Sequence, residues 1–221
     1  MCTSGKIWDF EIIENILKDF LKEFINNPYL CYTEHGLHAL FYTKLYDYLS
    51  KEQRHLLNYG KINIYAIQKE YPTAYQLGKG RRQHWDVAVI SNPPEPVTLD
   101  KKPGYDYLKL FAVFEFGLNE KIKHLQDDIE RLSNKDSHVE HPFVIHLYRI
   151  SGGRNNIRFS MRDRSSDADE KQFVKPDMVQ SLLKNIDSKI TVYHGIANQP
   201  PRKSELCKIT KDTIEIIDLL K

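Results

Sequence analysis

The chain of 221 residues is long enough for one sizeable core, and with 41% hydrophobic and 28% charged residues it has the composition of an ordinary soluble globular protein. Its 32 Lys and Arg against 30 Asp and Glu leave a net charge of +2, which neither demands nor excludes a polyanionic partner, so any nucleic-acid surface has to come from local clustering. Cys2, Cys31 and Cys207 are far apart and form no C-x-x-C pair, which argues against a disulfide framework and a structural zinc; Met1 to Trp8 lack the pattern of a signal peptide and no run of about 18 apolar residues occurs, so the expectation is a soluble cytoplasmic protein with no membrane partner.

Residues 9 to 26 place Phe10, Ile13, Ile16, Leu17, Phe20, Leu21 and Phe24 at helical spacing, and Asn26-Asn27-Pro28 ends the predicted helix. Thr33 caps a second predicted helix, which begins at Glu34 and buries Leu37, Leu40, Phe41, Leu45, Tyr48 and Leu49. Residues 61 to 71 alternate like a strand that stops at Pro72. A basic turn, Gly78-Lys79-Gly80-Arg81-Arg82, then leads into the apolar run Trp85-Asp86-Val87-Ala88-Val89-Ile90, so an antiparallel hairpin is expected. The Pro-rich stretch 91 to 107 reads as a loop before a strand from Leu108 to Leu118, and Asn119 as the cap of a helix running to about Leu132. Phe143 to Tyr148 and Ile190 to Ile196 read as strands, residues 176 to 187 as a helix, and Asp212 to Leu220 as a short C-terminal helix. The organisation expected is a single domain over 1 to 221, with an N-terminal helical appendage at 1 to 28, a core at 30 to 196 and a tail at 197 to 221.

Two carboxylates stand out in this pattern. Asp86 and Glu115 each lie inside an apolar strand run, and burying an unpaired carboxylate costs roughly several kcal/mol unless it is neutralised, paired or bound to a cation. Two of them on strands expected to be neighbours point to a site for a hard divalent metal. By period-two alternation Asp86 shares its face with His84 and Ala88, and Glu115 shares its face with Val113 and Gly117, where the missing side chain predicts open space.

The order of elements, with Glu34 opening the preceding helix, Asp86 in Trp85-Asp86-Val87 and Glu115 in Phe114-Glu115-Phe116-Gly117, resembles the PD-(D/E)XK nuclease superfamily over roughly residues 30 to 196. The resemblance implies an α/β fold with a mixed central β-sheet flanked by α-helices, restriction-endonuclease-like, and a Mg²⁺- or Mn²⁺-dependent nuclease. Asp86 and Glu115 would be its metal ligands and Glu34 an auxiliary ligand or water-orienting base. It also implies nucleic acid as the partner, DNA rather than RNA, and a homodimer where both strands are cut. The family's lysine, two residues after the Glu, is Gly117 in this chain. The following helix offers Lys121 and Lys123 as substitutes. With Ile122, Leu125, Ile129 and Leu132 facing the core, 100° per residue puts Lys121 roughly 60° from the centre of the buried face and Lys123 about 140° from it, so Lys121 is the expected displaced lysine. Asp128 and His124 lie on the same flank and extend a polar stripe.

Plainer readings stand beside these. Glu34 is favoured at a helix start by the macrodipole alone, Asp86 can pair with Arg81, Arg82 or His84, and Glu115 can be an exposed strand end. His38 reads as a packed or hydrogen-bonded histidine rather than a ligand, and Tyr42 and Tyr46 as packing residues. Two basic clusters, Lys79, Arg81 and Arg82 before Asp86 and Arg149, Arg154, Arg158, Arg162 and Arg164 after the fourth strand, are candidates for gripping phosphates or are solvated loops. The leading expectation is therefore a metal-dependent nuclease. Its competitors are a catalytically inactive protein of the same fold, serving as a nucleic-acid-binding or interaction module, and a plain protein-binding scaffold.

Overall fold

The computed structural model describes residues 8–49, 57–59, 62–73, 83–97, 107–150, 174–187, 189–198 and 203–219. Asp9 caps α1 (Phe10–Asn26) by accepting the Glu11 N–H, and Thr33 caps α2 (Glu34–Tyr48) by accepting the Gly36 N–H. Both helices bury the apolar stripes expected of them, except that Tyr48 is about half exposed.

Among the described residues eleven strands follow: β1 (Leu57–Tyr59), β2 (Ile62–Ile64), β3 (Ile67–Pro72), β4 (His84–Ile90), β5 (Pro96–Val97), β6 (Tyr107–Leu108), β7 (Leu110–Leu118), β8 (Val139–Ile150), β9 (Thr191–Asn198), β10 (Glu205–Ile209) and β11 (Ile214–Ile216). Among the described residues they are interrupted by α3 (Ile122–Ser133) between β7 and β8 and α4 (Pro176–Lys184) between β8 and β9. Seven strands form one mixed sheet in the order β11-β10-β9-β8-β7-β4-β3. The β3-β4-β7 half is antiparallel, while β7, β8 and β9 run parallel, as strands joined through helices can. The fold is thus α/β with a mixed central sheet flanked by helices.

Alternation along β7 sets the two faces. Phe114 and Phe116 meet the helical layer, with ring centroids 4.7 Å between Phe41 and Phe114 and 6.0 Å between Phe20 and Phe116. Glu115, between them, points to the opposite face, where α3 lies. At the far side of the sheet α1 is tied down by Glu14, which accepts from the Tyr193 hydroxyl and pairs with Lys208. Among the described residues no helix is long and apolar enough to cross a membrane.

Four local expectations are corrected. Asn119 does not cap a helix: its φ is 60°, its N–H donates to Leu147 O and its Oδ1 accepts the Arg149 N–H, so the chain stays bound to β8 and α3 starts only at Ile122. The segment 61 to 71 is two strands, because β2 pairs with β1 and the chain bends at Ala66, whose carbonyl accepts the Ile90 N–H, before β3 joins the main sheet. The Pro-rich loop holds a small ladder, β5 with β6. The expected C-terminal helix is absent: Thr210 Oγ1 accepts the Asp212 and Thr213 N–H groups to make a tight turn, and β11 folds back on β10.

Candidate metal centre

The β4–β7 ladder ends at Val87–Phe114. One residue beyond it, Asp86 Oδ2 accepts the Phe116 N–H at 2.8 Å, and two residues further along β7 the Leu118 N–H donates to Glu34 Oε2 at 3.1 Å. The backbone donors of β7 that β4 leaves unpaired are thus taken by two carboxylates, one from a neighbouring strand and one from the first turn of α2. Glu115 sits on the same stretch of β7 and is 3% exposed, low enough that its charge depends on its neighbours rather than on water. Its carboxyl group is close enough to Asp86 for the Asp86 charge to disfavour its own. Glu34, Asp86 and Glu115 are thus brought to one stretch of β7 from three elements.

The electrostatics follow from crowding and burial. Burial pushes Asp86 up to about 7, helped by the charges of Glu34, Asp128 and Glu70 and opposed by the Phe116 N–H. Glu115 is raised well above the ordinary carboxylate range by burial and then by Asp86 and Asp128, with Arg131 pulling the other way. Glu34 is raised too, by burial first, against the Leu118 N–H.

α3 contributes a stripe that the sequence only half revealed. Arg131 Nη2 pairs with Glu115 Oε1 at 3.2 Å and hydrogen-bonds to the buried Asp128 Oδ1. Burial disfavours the Arg131 charge, and Glu115 and Asp128 outweigh it. His124 Nδ1 lies 3.1 Å from Asp128 Oδ2, and this partner holds its imidazole up at about 9 despite burial. Arg131 was missed as a site residue. The signal that finds it is the spacing of 124, 128 and 131, one helix stripe at i, i+4 and i+7. Lys121, by contrast, is exposed at the residue before α3, and the cations set against the acids are His124 and Arg131.

The space beside Gly117 is not open. A Cβ at that position would stand 3.0 Å from His146 Nδ1 and 3.4 Å from His124 Nδ1. His146 is fixed there by a 2.8 Å bond from Nε2 to the Tyr148 hydroxyl, and burial lowers it to about 3, so it is neutral. Two imidazoles fill the region where a lysine at 117 would start.

Arg149, grouped by sequence with the basic segment after β8, is a buried structural residue: its guanidinium donates to the carbonyls of Pro28, Cys31 and Tyr32 and stacks over the Tyr29 ring. Lys79, Arg81, Arg82, Arg154, Arg158, Arg162 and Arg164 lie outside the described residues.

Among the described residues the ligand atoms of Glu34, Asp86 and Glu115 do not gather within 4.8 Å of one another, but one oxygen of the set is open to a cation. Glu115 Oε1 is buried and accepts no hydrogen bond from any described residue, Arg131 meeting it as an ion pair only. Oxygen donors with unused lone pairs and mutual repulsion are what Mg²⁺ or Mn²⁺ relieves. Comparison with family models, with curated proteins and with solved structures finds no match to this chain.

Proposed function

We propose that the chain is a metal-dependent nuclease that hydrolyses nucleic-acid phosphodiesters, DNA by preference, built on a restriction-endonuclease-like version of the mixed sheet. The observation that carries this reading is the convergence of Glu34, Asp86 and Glu115 at the point where β7 outruns β4. Asp86 and Glu115 would hold Mg²⁺ or Mn²⁺, which supplies a water of lowered pKa and offsets charge on the phosphate oxygens. Asp86 and Glu34 are each fixed by one backbone N–H, which leaves the other oxygen of each carboxylate for the cation or for a water. Arg131 holds Glu115 in place by pairing with it and with Asp128. His124, kept protonated by Asp128, stands beside Gly117 and would take the lysine's role in place of the exposed Lys121, stabilising charge on the phosphate.

A specific observation favours a second reading. Arg131 already neutralises part of the Glu115 charge, and Gly117 removes the family lysine, so the same cluster also suits an inactive nuclease-like protein that binds nucleic acid without cutting it. Calorimetric titration of Mn²⁺ into the wild type and Glu115→Gln, followed by a cleavage assay on plasmid and single-stranded DNA, separates the two. Binding lost in Glu115→Gln together with Asp86-dependent cleavage supports the enzyme. Binding without cleavage supports the inactive protein, and equal, negligible binding in both proteins overturns the metal centre itself.

A further inference from the structure

A second group of ligand-bearing side chains lies on the other side of Asp86. His35 and His38, at i and i+3 in the first turns of α2, face one another with Nδ1 of His35 2.8 Å from Nε2 of His38. Glu70 of β3 completes the group: one ligand atom from each of the three residues lies within 4.8 Å of the other two. His35 and Glu70 are exposed and His38 is fully buried, so the group is open to solvent on one side and rigidly backed on the other.

The backbone at Glu70 is held in a way that packing alone does not require. Glu70 has φ 53°, a left-handed conformation that non-glycine residues rarely adopt, and it lies between the paired positions Lys69–Val87 and Tyr71–Trp85 of the β3–β4 ladder. His38 is backed by the Phe116 ring at 6.2 Å, and its buried Nδ1 has no hydrogen-bond partner among the described residues. Two ring nitrogens bound to one ion at about 2.05 Å would stand about 3.0–3.3 Å apart, so the observed 2.8 Å needs an opening of only a few tenths of an ångström.

We propose that His35, His38 and Glu70 form a binding site for a Zn²⁺-class divalent transition metal, with its remaining coordination positions open to water. Two imidazoles and one carboxylate select zinc-like ions over Mg²⁺, which prefers oxygen ligands throughout. The ion clips the start of α2 to β3. That places it one residue from Glu34 and on β3, the strand paired with the β4 that carries Asp86. It therefore braces two of the three acids of the neighbouring centre while remaining chemically distinct from it, and it does not depend on nuclease activity.

Co²⁺ serves as the spectroscopic probe, titrated into untagged protein in excess Mg²⁺ and read by its visible absorption and by calorimetry. One equivalent should bind to the wild type and to Glu115→Gln alike, while the exposed-residue variants His35→Ala and Glu70→Gln, with helix content checked by circular dichroism, should each weaken binding at least tenfold. Three outcomes overturn the site: no binding by the wild type, binding unchanged in both His35→Ala and Glu70→Gln, or binding lost in Glu115→Gln to the same degree, which would assign the ion to the acidic centre.

Discussion

Asp86 holds its proton more tightly in the folded chain than in the unfolded one, and Glu115 shifts in the same direction, so the native state binds extra protons at mildly acidic pH. Stability contributed by such a group is fully present below the unfolded pKa, near 4, and is lost as pH rises through the folded value, about 7 for Asp86. The metal-free wild type should therefore be less stable at pH 8 than at pH 5. Asp86→Asn, whose side-chain oxygen can still accept the Phe116 N–H, should flatten that slope and be the more stable protein at pH 8. Urea midpoints at the two pH values check this; a wild-type slope unchanged in Asp86→Asn would mean that the carboxylate is not destabilised by its surroundings. His124 also has its affinity raised, from an ordinary 6.5 to about 9 by Asp128. Its pairing with Asp128 thus stabilises the fold fully below about pH 6.5 and not above about 9. His124→Gln should destabilise the protein at pH 6 and be close to neutral at pH 9.5, and equal losses at both would reduce His124 to a packing residue.

Among the elements, the segment joining α1 to α2 depends on a distant strand. Its carbonyls at Pro28, Cys31 and Tyr32 are gathered by the Arg149 guanidinium from the end of β8, and this positions the helix start that carries Glu34. Arg149→Met keeps the bulk and removes the donors. With about 0.5–1.5 kcal/mol lost for each of these part-buried hydrogen bonds, a total loss of about 1.5 kcal/mol or more is expected in chemical denaturation. A loss below about 0.5 kcal/mol, the size usual for a surface change, would contradict the buried role. Sequence reading recovered α1, α2 and the β4 and β7 runs, because apolar periodicity over ten or more residues, or unbroken apolar runs bounded by breakers, are local signals. It displaced the start of α3 because Asn serves both as a helix cap and as a residue at positive φ, and only the β8 partners of Asn119 decide between them. It missed Arg131 for a related reason. The Asp128–Arg131 spacing looks like an ordinary surface pair until α3 crosses β7 and sets the guanidinium on Glu115. The carboxylates themselves were legible because an acid in an apolar strand is a local anomaly wherever the chain later goes.

At the scale of the whole molecule, the acidic centre lies at a junction rather than inside one element. Glu34 belongs to the helical layer, Asp86 to the antiparallel half of the sheet, and Glu115 to β7, the strand where antiparallel pairing with β4 meets parallel pairing with β8. A cation bound there would link all three, and in the empty protein their mutual repulsion works against the packing that brings them together. Binding to the native state alone stabilises it by mass action, by about 2.7 kcal/mol when free metal is a hundred times its Kd. For a chain of this size each kcal/mol raises Tm by about 2–4 °C, so saturating Mn²⁺ should raise the wild-type Tm by about 5–11 °C. Glu115→Gln should show little of that increase, while its metal-free Tm at pH 8 should match or exceed the wild type's because the repulsion with Asp86 is gone. A variant that melts earlier without metal, and still gains the full increase with it, would show that Glu115 serves the junction through its Arg131 pair and not through the cation.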